Sequence, residues 1–580
     1  MKFICLCQRE SNVTPLPIPL NFTNLTEKFV PDHFTPNPMR SIQSPGLSMS
    51  IINPLDILEV KNDSFYLGLL THKPQDWHIP GGGIPDGNYA LIRANEDTLE
   101  LVSDVSGTHP MWYYYDEQVF IASSSQVAII SLLGSYQPNP KTYPWFLSGG
   151  HHGPLMGWDQ RIRKVRSNHS KIVLDRNQWT LDEVTNKLSF SPVKMDSSRY
   201  FSYYQEEMTN LLGSINLDYH RWVLPLSGGV DSRALLLLMK RDLNLRTLSW
   251  GHSSAEKNPI GDVYTAKKLA KHFHLSHEFY PVDISPLPFE QIFDRFLTIG
   301  EGRVDAIAGY VDGFDVWNQF FDQNIEGIIR GDLPVSQMPV AKSVEEVWEY
   351  LCMPPFKNSF NKELYDTWEL SDQDIPKDLQ KRDDETFTEY RDRAFIEYRA
   401  PSCHGGRNDL KLLHTEVFSP LQTTAVVNLY KTLPDEYRAG KTLLNQLVKK
   451  LNPGIPFAIT DSVVDYKEYL RHPLVVNFVR QNLQDSMNSG PFNQKFIQHL
   501  IKNLNPDTKV QIGKRQNFKT ITRRKVKSFL PRAWQYKIKS SSQGPDFYRI
   551  AFRACMIIQM DARLKEIAAQ SQQNPIYNLV

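Results

Sequence analysis

The segment Trp222-Val223-Leu224-Pro225-Leu226, followed at once by Ser227-Gly228-Gly229-Val230-Asp231-Ser232, constrains the fold more than any other part of the chain. An apolar run of strand length runs directly into two glycines, and a helical pattern over 233–243 follows. Further strands are expected at 245–250, 277–281 and 327–330, and an amphipathic helix over 262–274 carries Ala266, Leu269, Ala270 and Phe273 on one face. Strands alternating with helices imply a doubly wound parallel α/β sheet, because a parallel partner is reached only through a crossover. In such a sheet the loop at the carboxyl end of a strand is where ligands bind.

The rest of the chain has another character. Residues 1 to about 190 look β-rich, with a first strand at 1–7 and others at 48–52, 89–93, 99–102, 112–115 and 119–122. Turn residues such as Pro85-Asp86-Gly87-Asn88 separate them. Segments 11–47 and 135–166 are expected to be irregular. Residues beyond about 380 read mostly as helix. With 580 residues one core is too few. The division expected is 1–195, an α+β β-sandwich domain, and 196–580, the parallel-sheet domain with a helical C-terminal part.

Composition excludes several classes. The net charge of +1 gives no global field for nucleic acid or an anionic membrane, and no run approaches a membrane span. The five cysteines show no paired spacing for zinc or a disulfide framework, which fits a reducing cytoplasm. The basic segment 514–539, interleaved with Phe518, Phe529, Trp534 and Tyr536, has the residues to grip a nucleic acid or an acidic peptide, but with the chain neutral overall it reads rather as a solvated flap near the cleft. His151, His152 and His404 lie outside any ligand spacing and read as loop residues.

The six-residue loop carries the chemistry. Its glycines allow close approach of a ligand, and the free N–H groups at the helix start point at an anion. Asp231 would repel a bare phosphate and makes sense as a Mg²⁺ ligand. The string lacks the lysine of a Walker loop.

Ser227–Ser232 resembles the SGGxDS loop of the N-type ATP pyrophosphatases, a group that includes asparagine synthetases, β-lactam synthetases and lasso-peptide cyclases. The resemblance implies ATP and Mg²⁺ as cofactors. It places ATP on Leu226, Ser227, Gly228, Gly229, Val230, Asp231 and Ser232, with adenine cradled by Leu248, Ser249 and Trp250. Asp262 matches an acidic position of the asparagine synthetase branch. Gly331-Asp332-Leu333-Pro334 looks like the loop whose aspartate shares Mg²⁺, making Asp231 and Asp332 the metal pair and Gly331 an ATP contact.

Thr415-Glu416-Val417-Phe418-Ser419-Pro420-Leu421 and Gly440-Lys441-Thr442-Leu443-Leu444 are similar to two later runs of that branch, so Glu416 takes the place of its substrate-side glutamate. In the first domain, Gly87–Leu91, Ser103–Tyr113 and Ile121–Ser124 resemble its Ntn-hydrolase-like glutaminase domain.

This chain departs from that pattern. Residue 2 is Lys where the glutaminase nucleophile is a cysteine, so a scaffold without glutamine hydrolysis is expected. Ile329 stands where β-lactam synthetases carry a tyrosine. No lysine falls in register within 452–460, leaving Lys467 as the nearest candidate. The resemblance implies an ATP-dependent, AMP-forming carbon–nitrogen ligase. It would join a small-molecule or peptide carboxylate to an amine, with a precursor peptide and protease partner in the lasso-cyclase case. Ammonia- or amine-dependent amidation of a small intermediate and a non-catalytic nucleotide-binding relative stay open.

Overall fold

The computed structural model describes residues 1–9, 25, 28–239, 245–506 and 545–573; the basic segment 514–539 lies outside them. Two six-stranded antiparallel sheets form the first part. Lys2–Gln8 is central in one, between Leu47–Ile52 and Val119–Ser123. Its period of two is clean. Phe3, Cys5 and Cys7 face the second sheet, where Phe65, Leu67, Ile92 and Leu101 complete a buried layer. Ile4 and Leu6 face the other way, into a cluster with Val127 and with Ile550, Ala551 and Ala554 of the helix Phe547–Gln573. That helix packs on the helix Gln126–Leu133, which lies against this sheet. Each such side chain, fully buried, contributes on the order of 1.5–3 kcal/mol.

The second part holds a five-stranded parallel sheet: β1 (Trp222–Pro225), β2 (Thr247–Gly251), β3 (His277–Pro281), β4 (Gly327–Ile329) and β5 (Glu416–Phe418). The order is β3-β2-β1-β4-β5. Strand order therefore reverses beside β1, and a crevice opens between the carboxyl ends of β1 and β4. Helix α1 (Val230–Leu238) leaves β1 through the glycine loop, and α2 (Asp262–His272) follows β2. Ala266, Leu269 and Ala270 of α2 are fully buried.

Several expectations need correction. Segment 11–47 contains the strand Arg40–Ser44, and 135–166 contains the helix Thr142–Gly149 and the strand Arg163–Lys164. The helix expected from Arg233 starts at Val230, because its first turn is the loop itself. Strand β5 falls in a region read as helix; three residues are too short to show alternation. The expected turn at 85–88 is the start of the strand Asp86–Ala94. There Gly87 has φ 144°, and a Cβ on it would lie 2.1 Å from the Leu69 carbonyl oxygen, so the glycine serves a close strand approach. Its neighbours reach across to the second part: the Asp86 carboxylate accepts from the N–H groups of Thr424 and Ala425, and the Asn88 carboxamide accepts from Ser419 N–H. None of the described helices is long and apolar enough to cross a membrane.

Candidate active site at the switch point

A cleft of about 340 Å³ lies where the strand order reverses. Ser227, Asp231 and Ser232 line one wall, Ser249 and Trp250 a second, Arg330, Gly331 and Asp332 a third, and Asp461, Ser462 and Val463 the rim. Loops after β1, β2 and β4 therefore converge with a segment some 130 residues beyond the last of them. A larger hollow of about 540 Å³ lies between 166–187 and 376–397, but its Arg166 pairs with Glu183 and Asp378. The chemistry gathers at the sheet.

The glycine loop is held from several directions. The Ser227 and Ser232 hydroxyls lie 2.9 Å apart, and Gly228 N–H donates to Asp262 Oδ1 at 3.1 Å. Arg233, fully buried, donates to the carbonyls of Ile455 and Pro456 and to Asn452, and lies over the Phe457 ring at 4.1 Å. It clamps segment 452–458 onto the loop. That segment continues past Ala458, whose N–H donates to Gly228 C=O, to Ser462, whose hydroxyl donates to Trp250 C=O. The loop is preorganised before any ligand arrives.

Asp231 sits in the first turn of α1. Its Oδ2 receives Lys441 at 2.5 Å, while Oδ1 is buried with no hydrogen-bond partner. An orphaned carboxylate oxygen in a polar cleft fits a hard cation. Asp332 is held bidentately by Arg330, at 2.8 and 3.2 Å. Burial opposes its ionisation, but Arg330, His404 and Lys411 outweigh that and hold its carboxyl well below the usual range. Among the described residues no group of three protein ligands gathers for a metal. Asp231 and Asp332 therefore suit Mg²⁺, which takes one or two carboxylates and fills its octahedron with phosphate oxygens and water.

Asp262 is pushed up to about 6 by burial and by the facing Asp461, against the Gly228 N–H bond. Its folded-state value lies above the unfolded one, so ionising it costs stability as pH rises from about 4 through about 6. Asp262→Asn, which keeps an acceptor for Gly228, is expected to be more stable than the parent by about 1–3 kcal/mol at pH ~8 and nearly equal to it at pH ~4. Urea unfolding at both values checks this. A variant less stable at the higher pH would show that the charge itself supports the loop.

The other candidates fall elsewhere. Leu248 is buried in β2 behind Ser249. Glu416 opens β5 at the end of the sheet away from the loop, is fully buried, and does not line the cleft. Its Oε1 lies 3.2 Å from the Met1 amine and its Oε2 3.0 Å from His109 Nε2. Lys467 lies in the first turn of Tyr466–Leu470, again outside the lining. His151 and His152 are buried against Tyr398 and Trp158 rather than lying in an open loop. His404 closes the π-helical turn Phe395–His404; burial, with Arg407 and Arg330, takes it down to about 4 against the pull of Asp332. Sequence reasoning missed Lys441, Arg233, Arg330 and Asp461 as site residues. Only Lys441 had a signal, its place in the Gly440–Leu444 run.

Residues 223–302, from β1 to the helix after β3, match the asparagine synthase family model. Members of that family are ATP-dependent ligases. No curated protein matches the chain.

Proposed function

We propose that this asparagine-synthetase-like chain is an ATP-dependent, AMP-forming carbon–nitrogen ligase that activates a carboxylate as an acyl-adenylate. The observation that carries the reading is the convergence in one cleft of the Ser227–Ser232 loop, Asp231 with an unpartnered oxygen, and Asp332. The start of α1 presents N–H groups without intrahelical partners, and Lys441 adds an ammonium beside them. Ser249 and Trp250 form the wall that suits adenine. Mg²⁺ on Asp231 and Asp332 would supply charge neutralisation for the departing pyrophosphate.

In the first step a carboxylate oxygen attacks the α-phosphorus and the bond to pyrophosphate breaks. In the second an amine attacks the acyl carbon, the bond to AMP breaks, and the amine proton passes to a base. Glu416 is too enclosed to meet a substrate without rearrangement, since both oxygens are engaged within the interior. Glutamine plays no part in this reading. Cys5 and Cys7 are packed between sheets, and burial pushes the Cys5 thiol well up, which disfavours a thiolate. The amine then comes from the substrate itself, as in macrolactam or lasso-peptide cyclisation, or from a second molecule.

An ¹⁸O-labelled carboxylate tests the chemistry. Adenylation delivers the label to AMP. Label in inorganic phosphate, with ADP as co-product, would contradict it.

A further inference from the structure

Three side chains on β2 and β3 form a hydrogen-bond relay that ends at the cleft. Thr247 and Ser249 are two residues apart on β2, so both point to the same side of the sheet, and His277 of β3 stands in register with Thr247. The Thr247 hydroxyl donates to the Ser276 carbonyl at 2.6 Å. Its only proton is thereby committed, and Thr247 Oγ1 can do no more than accept from His277 Nδ1, 2.9 Å away. Nδ1 therefore carries the imidazole proton. Burial, helped by Lys267 and opposed by Glu278, takes His277 down to about 4, so the ring is neutral near pH ~7 and Nε2 keeps its lone pair. Ser249 Oγ lies 3.0 Å from that nitrogen and must donate to it. The backbone carbonyl at one end thus dictates the direction of every bond up to the other end. What Ser249 has left is acceptor capacity alone, and Ser249 is a lining residue of the cleft.

We propose that this relay sets which nucleobase the cleft accepts: Ser249 Oγ takes a hydrogen bond from the exocyclic amine of adenine and turns a lone pair against any base with a carbonyl in that place. The inference deepens the ligase reading and rests on it, since it takes the Ser249–Trp250 wall as the base side of the cleft. Adenine carries a donor at C6, where hypoxanthine and guanine carry an acceptor. A serine hydroxyl free to turn serves either group. One whose proton is committed to His277 serves only the donor. His277 is a positioning residue that acts through Ser249, and Thr247, 1% exposed, anchors it. A polar network that merely joined β2 to β3 would affect all nucleotides alike. The discriminating quantity is therefore a ratio of affinities, in which the phosphate and metal contributions cancel.

The test is calorimetric titration of the full chain with the Mg²⁺ complexes of ATP, ITP and purine riboside triphosphate, without acyl substrate. The parent is expected to bind ATP about tenfold more tightly than ITP, or better, the worth of one hydrogen bond made against one refused. Purine riboside triphosphate, with only hydrogen at C6, is expected to fall between them. Ser249→Ala deletes the acceptor and is expected to bring the ATP-to-ITP ratio close to one. His277→Phe keeps a ring in place but frees the Ser249 hydroxyl to turn, and is expected to bring the same collapse, with ITP binding gaining. Thermal midpoints report folding, and Ser249→Ala, which removes a single oxygen, decides the matter if His277→Phe does not fold. A parent that binds ATP and ITP equally overturns the relay and leaves the nucleotide reading standing. So does a preference that Ser249→Ala keeps, or a His277→Phe that weakens both nucleotides by the same factor. A parent that binds none of the three overturns both.

Discussion

Asp231→Asn is expected to lower pyrophosphate release by a factor on the order of 10²–10³ while the protein stays folded. The argument rests on what the carboxylate does now. Its Oδ2 holds Lys441, and its Oδ1 is buried without a partner. Asparagine keeps the shape and one acceptor oxygen but loses the charge. Lys441 then has no anion to position it, and a divalent cation has lost one of its two carboxylates. The side chain is 34% exposed, so the ion pair itself adds little to stability and unfolding should not confuse the result. Pyrophosphate release is measured by a coupled assay at saturating Mg·ATP, with thermal midpoint as the control. Release within a few-fold of the parent would remove Asp231 from the site.

Gly228→Ala has the second large effect, and it acts through packing. A Cβ on Gly228 would lie 2.2 Å from the Ala458 Cβ and 3.0 Å from its nitrogen. No side chain here has a flexible end that can swing away. Either the loop or segment 452–463 must move, and that segment carries the Ser462 wall of the cleft. Overpacking of this kind costs about 1–3 kcal/mol. Mg·ATP affinity is expected to fall by more than about tenfold, because the N–H groups lose their aim. Gly229→Ala is the control for stability. Its Cβ would meet only the Ser227 hydroxyl, at 3.3 Å, so its denaturant midpoint should stay near the parent's. Equal midpoints for the two variants would show that segment 452–463 does not seal the loop.

The loop was legible because its signal is local. A buried strand, two glycines and a helix start occupy adjacent positions, and three of the four later strands lie within two residues of where they were expected. What stayed hidden depends on chain segments meeting from afar. Lys441 and Asp231 are 210 residues apart, and Glu416 meets His109 across 307. A glutamate in a motif-like run looks the same in sequence whether it faces a cleft or is sealed beneath a sheet. Only the path of β5 decides between them. Lys411 was invisible for a similar reason: on a helical pattern it reads as one more solvated lysine, and it is buried because the helix Gly405–Leu412 packs against the helix Phe289–Gly300 and strand β5. The residues Asp86-Gly87-Asn88 were read as part of a turn and open a strand instead, since the partners of Asp86 and Asn88 lie in the other half of the chain.

The central claim is that the cleft beside β1 holds Mg·ATP. Calorimetric titration of the full chain with a non-hydrolysable ATP analogue, with Mg²⁺ and then with EDTA, tests it most directly. The account predicts saturable one-to-one binding that Mg²⁺ strengthens, with that strengthening lost in Asp231→Asn and in Asp332→Asn. Absence of binding, or binding indifferent to Mg²⁺ and to both substitutions, would contradict it.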